Sequence, residues 1–498
     1  MSILHDNFLG PKAENAEALQ ESLIKILDWH AAWRRTFFTN DPEVFDRSAT
    51  PSDNTLQKHL DVLLERLSHQ PPYFSPRYAA QMLKDPALSS TLGYLAAILT
   101  NPNNHAYEGG PITTELEMEC VQDLLNLCGF KKGWGHLCSG GSLANTEAMW
   151  AVRDVYTQKH KKPGAVLFSH MAHYSWKRIC SILAIQDGVE IPTDSKFRMD
   201  LDALESVLKK KKTMMVVANI GTTGVGAVDD IEGILQLRKR YGFHLHLDAA
   251  YGGYSRSIII DASGRIKPYA NVALIVKPEV YLSLRAMKDA DSITIDPHKQ
   301  GALGYGCGAV IYKSEALRSA ILNTAPYTYH IKDKPNIGMF TLEGSRPGAV
   351  AAGCWLTHRM MPLHEEGYGR LLTENFLAAQ ELHRRIESES GFRPLHDPDL
   401  DIYSFYKPIA ASKTASLQKQ NKLNTSIYEA FSVLNPKAPF ILSKFVVDAP
   451  SVKHATGALK TDDRFFLSLR TVLIKHWMRM SKPSYVDLLI EALREKRI

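Results

Sequence analysis

No apolar run in this chain reaches the length of a membrane span, and its start, MSILHDNFLG, lacks the basic residues and following apolar stretch of a secretory leader. Cysteine is scarce: six in 498 residues, at positions 120, 128, 138, 180, 307 and 354, with no CxxC spacing. That scarcity excludes a disulfide scaffold and points to a reducing compartment, so the expected location is the cytoplasm. Charge of one sign is also in short supply. Fifty-nine Lys and Arg against 53 Asp and Glu leave a net charge of +6, too little over this length to make nucleic acid the expected partner, although phosphate and carboxylate ligands fit easily. The one basic run, 209–212, follows the helical pattern DLDALESVL and reads as a helix C-terminus that complements its dipole. Internal repeats, low-complexity tracts and a GxxxxGK(S/T) loop are all missing, which removes repeat architectures and nucleoside triphosphate binding.

What remains is an ordinary globular composition, 45% hydrophobic and 22% charged, in a chain too long for one simple core. Residues 1–75 read as helical, because ALQESLIKILDWHAAWRR and TLQKHLDVLLERL carry apolar residues at helix spacing. With so little mixed structure, this segment is expected to pack against a second copy of the chain. Residues 76–130 are again largely helical, interrupted by NPNNHAYEGGP, and ITTELEMECVQDLLNLCGF is expected to open with Thr113 or Thr114 as its cap. From 135 to 325, AVLFSH, TMMVVANIG, FHLHLDAA and DSITID are strand-like and mostly separated by helical stretches, which predicts a mostly parallel sheet covered on both faces. Beyond 360, FILSKFVVD and RFFLSLRTVLI mix with helices and predict a small α+β domain, and 410–424, rich in Ser, Lys and Gln, reads as an exposed or mobile insertion. The expected division is 1–75, 76–360 and 361–498.

The residues that carry chemistry gather at strand ends. In SITIDPHKQG, 292–301, a short strand breaks at Pro297, so that Asp296, His298 and Lys299 sit just past its C-terminal end, where open parallel sheets keep their chemistry. Among groups that can lower its pKa there, Lys299 is a candidate Schiff-base nucleophile. CSGGSLANTEAMW opens a helix on Gly140, Gly141 and Ser142, and backbone N–H groups aided by the Ser142 hydroxyl make a phosphate cradle. HLDAAYGGY sets Asp248 at the end of an apolar strand, followed by small residues such as Ala250 that let a flat ligand approach. A carboxylate buried there needs a cation, and a protonated pyridine nitrogen serves. The competing reading is a zinc site of His244, His246 and Asp248, alternating onto one strand face, which would make the chain a metal-dependent hydrolase. FSHMAHYSWKR offers His170 and His173, the latter placed to lie flat on an aromatic cofactor, and NIGTTGVGAVDD brings Thr222 and Thr223 to the same rim. A phosphate cradle, a stacking histidine, a carboxylate for a pyridinium and a lysine are the parts pyridoxal 5′-phosphate requires, and no metal ion is expected beside it.

Taken jointly, SGGSLANTEAM, AHYS, GTTGVGA, DAAYGGY, DPHK and EGSRPGA, in this order and spacing, resemble the group II pyridoxal-phosphate-dependent amino acid decarboxylases of the aspartate aminotransferase fold. The resemblance covers about 75–360 well and both ends loosely. It implies an α/β chain of fold type I, with an N-terminal helical segment and a small C-terminal domain. By the same resemblance Lys299 bonds the cofactor, Asp248 pairs with its ring nitrogen, His173 stacks on the ring, and Gly141, Ser142 and His298 hold the phosphate. Thr223, or its neighbour Thr222, lies beside the cofactor. The implied reaction is α-decarboxylation in a homodimer with shared active sites, a loop tyrosine from one subunit protonating Cα in the other. The matching loop, APYTYHIKDKPNIGMF at 325–340, offers Tyr327 and Tyr329, and Tyr329 is taken as the acid. DPHKQGALGYGCGAV and NPNNHAYEGGP look most like the microbial tyrosine decarboxylase branch, whereas EGSRPG is also similar to glutamate decarboxylases. An aromatic substrate would meet His105, Tyr107 and Phe340; an acidic one would need Arg346 or Arg470. A chain that binds the cofactor without turning over substrate is the remaining alternative.

Overall fold

The computed structural model describes residues 2–42, 44, 55–326, 328–331, 333–410, 415–457 and 459–495. Its centre is a seven-stranded sheet of β1 (Trp134–Cys138), β2 (Ala165–Ser169), β3 (Gly188–Ile191), β4 (Thr213–Asn219), β5 (His244–Asp248), β6 (Ser292–Ile295) and β7 (Gly308–Tyr312), in the order β1-β7-β6-β5-β4-β2-β3. Strands β2 to β6 are parallel, and β7 runs antiparallel between β6 and β1. Helices cover both faces, so β2, β4 and β6 are buried along their whole length, and AVLF of β2 and MMVVA of β4 read in sequence as continuous apolar runs. Parallel pairing brings the C-terminal ends of β2, β4, β5 and β6 to one edge; in register, Asn219 lies beside Asp248 and Asp248 beside Thr294.

The C-terminal part forms a four-stranded antiparallel sheet of β8 (Arg393–Pro394), β9 (Ile402–Tyr406), β10 (Ser443–Asp448) and β11 (Phe465–Val472), in the order β10-β11-β9-β8. It packs on the helices Tyr368–Ser390 and Tyr485–Glu495 through a core that includes Leu382, Ile386, Phe405, Leu469 and Leu489. The reading of 410–424 as an insertion fails from Ser416 on, while 411–414 lie outside the described residues. Ser416 caps the helix Leu417–Ala430 by accepting from the Lys419 N–H, and Leu417, Gln420 and Asn424 are buried. The amides that made the stretch look solvated satisfy backbone groups instead: Asn424 Nδ2 donates to Leu467 O at 2.6 Å and Gln420 Nε2 to Lys407 O at 2.6 Å.

Thr113 and Thr114 do not cap their helix. Pro111 takes the first position, suited to a residue without an N–H, and the helix runs Pro111–Cys128 with both threonines inside its first turn. The N-terminal helices Ala16–Arg34 and Thr55–Ser68 form as expected and, among the described residues, bury no side chain in the single chain. Among the described residues no helix is long and apolar enough to cross a membrane.

Candidate active site

A cavity of about 610 Å³ opens at the shared edge. Each strand end contributes: Ser139 to Ser142 follow β1, His173 follows β2, Thr222 and Thr223 follow β4, Asp248 and Ala250 end or follow β5, and Asp296, His298 and Lys299 follow β6. The helix Gly141–His160 starts on its floor. A Cβ on Gly141 would come within 2.7 Å of Asp296 Oδ2 and 3.1 Å of Ala250 Cβ, and one on Gly308 within 2.5 Å of Gly140 Cα. Glycine therefore lets the helix N-terminus, with N–H groups that have no intrahelical acceptor, press against the carboxylate turn.

Lys299 Nζ lies 2.9 Å from Asp296 Oδ2; the lysine side chain is 21% exposed and the aspartate 2%. Burial works against the ammonium, but the Asp296 carboxylate outweighs it and Asp248 adds to the attraction, so the Lys299 pKa is raised. The expectation of a lowered pKa is thus overturned by the aspartate one turn earlier. His298 is 8% exposed, with Nδ1 2.6 Å from Cys307 O and Nε2 3.7 Å from Asp296 Oδ2. Burial lowers its pKa, with Asp296 opposing. The ring of Tyr305 covers it at 4.3 Å between centroids.

Asp248 is the most restrained group in the cavity. Its Oδ2 accepts from Asn145 Nδ2 at 3.0 Å and Trp176 Nε1 at 2.9 Å, and Oδ1 accepts from the Ala250 N–H at 3.3 Å. Behind it, His246 Nε2 lies 3.2 Å from Asn145 Oδ1, while His246 Nδ1 and His244 Nε2 lie 2.8 and 2.7 Å from Ser292 Oγ. The zinc reading of this strand is therefore set aside. The two histidines are engaged with Ser292, and burial keeps both neutral, taking His244 to about 4 and His246 well below its ordinary value. What His246 does is orient the amide that holds Asp248. His173 lines the cavity with Nδ1 2.8 Å from Ser175 Oγ, and burial lowers its pKa while Asp248 pulls it back. Thr222 is buried and its Oγ1 accepts from the Ala227 N–H at 3.0 Å, whereas Thr223 is exposed; both line the cavity.

The remaining expected residues gather elsewhere. Tyr329 Oη lies 2.9 Å from His105 Nε2, with the rings 5.1 Å apart. Tyr107 Oη donates to Glu115 Oε1 at 2.6 Å, and Phe340 packs 6.2 Å from Trp134 beneath the Arg318 guanidinium. None of these four is among the residues that line the cavity of the single chain. Tyr327 lies outside the described residues. Arg346 is buried in an ion pair with Glu117 and donates to Leu137 O at 2.6 Å. Arg470 donates to Thr223 O at 2.8 Å and Gly224 O at 3.0 Å. Sequence reasoning missed Asn145, Trp176, Arg178 and Tyr305, all close to the named residues in the chain. A signal existed for Asn145, which stands four residues after Gly141 and so on the same face of the helix.

The model of the pyridoxal-dependent decarboxylase conserved domain matches residues 40–406. The chain belongs to this family. The decarboxylase is 30% identical to an L-tyrosine decarboxylase of Enterococcus faecium over 86% of this chain and 85% of that one. It is 29% identical to an L-aspartate decarboxylase of Thermococcus kodakarensis over 68% of this chain and 79% of that one. In fold it is like the crystal structure of mouse CSAD in apo form, with a TM-score of 0.73, 18% identity and coverage of 96% and 98% of the two chains. As a pyridoxal-dependent amino acid decarboxylase, it uses pyridoxal 5′-phosphate, and the cavity suits that group. The helix start on Gly140 and Gly141 has N–H donors that would suit a phosphate, the thrice-bonded Asp248 carboxylate would suit a ring cation, and the Lys299 amine lines the same cavity.

Proposed function

We propose that the decarboxylase removes the α-carboxylate of an aromatic L-amino acid, tyrosine first, as carbon dioxide and leaves the amine. The observation that carries the choice is the state of Arg346 and Arg470, the two arginines that an acidic substrate was expected to need. Arg346 is locked on Glu117, and Arg470 is engaged with the carbonyls of Thr223 and Gly224, so neither meets the distal carboxylate of an acidic substrate in the cavity. An unpaired carboxylate there would be costly. The likeness to the Enterococcus faecium tyrosine decarboxylase over most of both chains supports the same reading. Arg178, which lines the cavity, supports the aspartate alternative.

When bound, pyridoxal phosphate supplies a protonated ring that takes up the electron pair freed as carbon dioxide leaves. In this reading Lys299 is the covalent attachment, Asp248 holds the proton on the ring nitrogen, and His173 lies against the ring. Gly141, Ser142 and His298 hold the phosphate, and Ala250 and Thr223 flank the ring; the hydroxyl of Thr222 already serves Ala227. Tyr329 carries the proton for Cα, and His105, Tyr107 and Phe340 shape the substrate side. Because these four stand outside the chain's own cavity, they are assigned to the cavity of a neighbour in a homodimer. Exposed Ile24, Leu27, Trp29, Leu63 and Leu64 on the two N-terminal helices support a clasp with that neighbour. The division at 75 and 360 follows this reading, with the first segment as the clasp, and six free cysteines support a cytoplasmic setting.

The test is mass-spectrometric detection of amines after the cofactor-loaded protein meets tyrosine, phenylalanine, Dopa, tryptophan, glutamate and aspartate separately. Tyramine in excess is expected. An amine from aspartate or glutamate alone would overturn the substrate class, and no amine from any would leave a cofactor-binding chain without turnover.

A further inference from the structure

A second cluster lies against the turn that carries His298 and Lys299, and decarboxylation makes no use of it. Cys120 on the helix Pro111–Cys128 faces Cys354 and His358, four residues apart on the helix Gly348–Met360. One ligand atom from each lies within 4.8 Å of the other two, and Cys354 Sγ is 3.7 Å from His358 Nε2. All three are buried, His358 being the most exposed at 3%. The Cys307 thiol is a further neighbour of Cys354. On its far side, His358 Nδ1 lies 3.2 Å from Asp123 Oδ2, which places the proton on Nδ1 and leaves the Nε2 lone pair toward the thiols, where the Tyr254 hydroxyl donates to it at 2.9 Å.

We propose that Cys120, Cys354 and His358 bind one thiolate-preferring divalent cation of the zinc class, with the neutral Tyr254 hydroxyl as fourth ligand. Zinc bonds of about 2.3 Å to sulfur and about 2.0 Å to nitrogen set tetrahedral ligand atoms about 3.5–3.8 Å apart, so these three ligand atoms, within 4.8 Å of one another, need to close by about 1.3 Å at most. Two thiolates and a neutral imidazole cancel a charge of +2, and a buried site without net charge avoids the cost of a desolvated ion. The Asp123 carboxylate behind His358 is the orienting partner that metal-bound histidines carry. Asp123 and His358 also line a separate cleft of about 540 Å³, which brings solvent to the edge of the cluster. Burial holds the Cys120 thiol protonated; contact with Cys120 lowers Cys354, but Cys307 and burial together hold it protonated as well. Binding therefore breaks the Tyr254–His358 hydrogen bond and forms two metal–sulfur bonds, one metal–nitrogen bond and one bond to the neutral Tyr254 oxygen, while the two thiol protons leave to solvent. The ion would brace two helices against the active turn, since Cys307 holds His298 through its backbone and Tyr254 packs against Gly301.

The experiment loads the cofactor-bound protein with zinc or cobalt, removes loose metal by dialysis, and measures bound metal by mass spectrometry. One metal per chain is expected in the wild type and in Cys128→Ser, a buried thiol on the same helix outside the cluster. In Cys354→Ser and His358→Gln, each checked for bound cofactor and unchanged circular dichroism, occupancy should fall at least tenfold. The cobalt spectrum of the wild type needs no variant, and tetrahedral thiolate bands to the red of the cofactor absorption are expected. Wild-type occupancy below a tenth, metal that survives in both variants, cobalt bands without thiolate character, or a Cys120–Cys354 disulfide in place of metal would each overturn the site.

Discussion

Asp248 and Tyr329 belong to one proposed reaction, yet the chain holds them by opposite means. Asp248 ends a strand, sits 7% exposed, and accepts from Asn145, Trp176 and the Ala250 N–H, with His246 and Ser292 behind. Tyr329 sits on an irregular segment at φ 63°, a left-handed conformation unusual for a tyrosine, with its hydroxyl on His105. Groups carried by strands and locked by neighbours keep their geometry, whereas loop groups are free to differ between relatives and to serve another copy of the chain. In the proposed reading the cofactor side of the cavity is complete in one chain, and the side that meets substrate draws on a neighbour.

The comparison breaks first at Lys299. If the floor alone sets the cofactor chemistry, Lys299→Ala should lose turnover by more than about 10⁴-fold and leave no cofactor attached after borohydride reduction, with the fold retained by circular dichroism. Covalent cofactor on another lysine would move the whole assignment. Asp248→Asn comes next. It keeps the shape but removes the charge that holds the ring proton, and turnover should fall by about 10³-fold while cofactor binding survives. A loss of less than about tenfold would mean that Asp248 is a structural cap.

These residues were legible because each follows an apolar run, so strand ends and chemistry coincide in the chain. Their supports were not. Asn145, on the helix after β1, and Trp176, after β2, lie 103 and 72 residues from Asp248 and meet it only through the strand order β1-β7-β6-β5-β4-β2, which no local pattern encodes. Cys120 shows no mutual spacing with Cys354 and His358 and meets them only where the helices Pro111–Cys128 and Gly348–Met360 pack. The sign of the Lys299 shift was hidden for another reason: DPHK displays the aspartate, but only the turn geometry brings its oxygen to 2.9 Å. The helix Leu417–Ala430 was misread because Gln420 and Asn424 have the composition of a solvated loop and the job of buried amides.

On the substrate side, Tyr329→Phe sharpens the contrast. Removing one hydroxyl from a loop should leave the thermal midpoint and cofactor absorbance unchanged, lower amine formation by about 10²-fold, and raise the share of aldehyde or ketone by-products. Mixing this variant with Lys299→Ala tests whose cavity the loop serves. Mixed dimers hold one cavity with both native groups if the loop crosses to the neighbour, and activity should return; no recovery, with subunit exchange verified, would confine the tyrosine to its own chain.

The smallest effect should come from Asp296→Asn. The Lys299 pKa is raised because the Asp296 attraction exceeds the cost of burial. At neutral pH the amine therefore carries its proton and must shed it before it attacks the cofactor aldehyde. With the carboxylate removed, burial dominates and the pKa falls below its ordinary value. Cofactor uptake by the apoprotein, followed by absorbance from pH 6 to 10 (roughly the range in which such an amine titrates), should then have its midpoint at lower pH in the variant, with uptake at neutral pH faster. Since an ammonium with a raised pKa adds stability below its unfolded value and loses it as pH rises through the folded one, the apoprotein's thermal midpoint should also fall less on alkalinisation in Asp296→Asn than in the wild type. A midpoint that stays in place would mean that the lysine titrates without regard to the aspartate 2.9 Å away, and the floor of the cavity would then be less tightly coupled than its geometry implies.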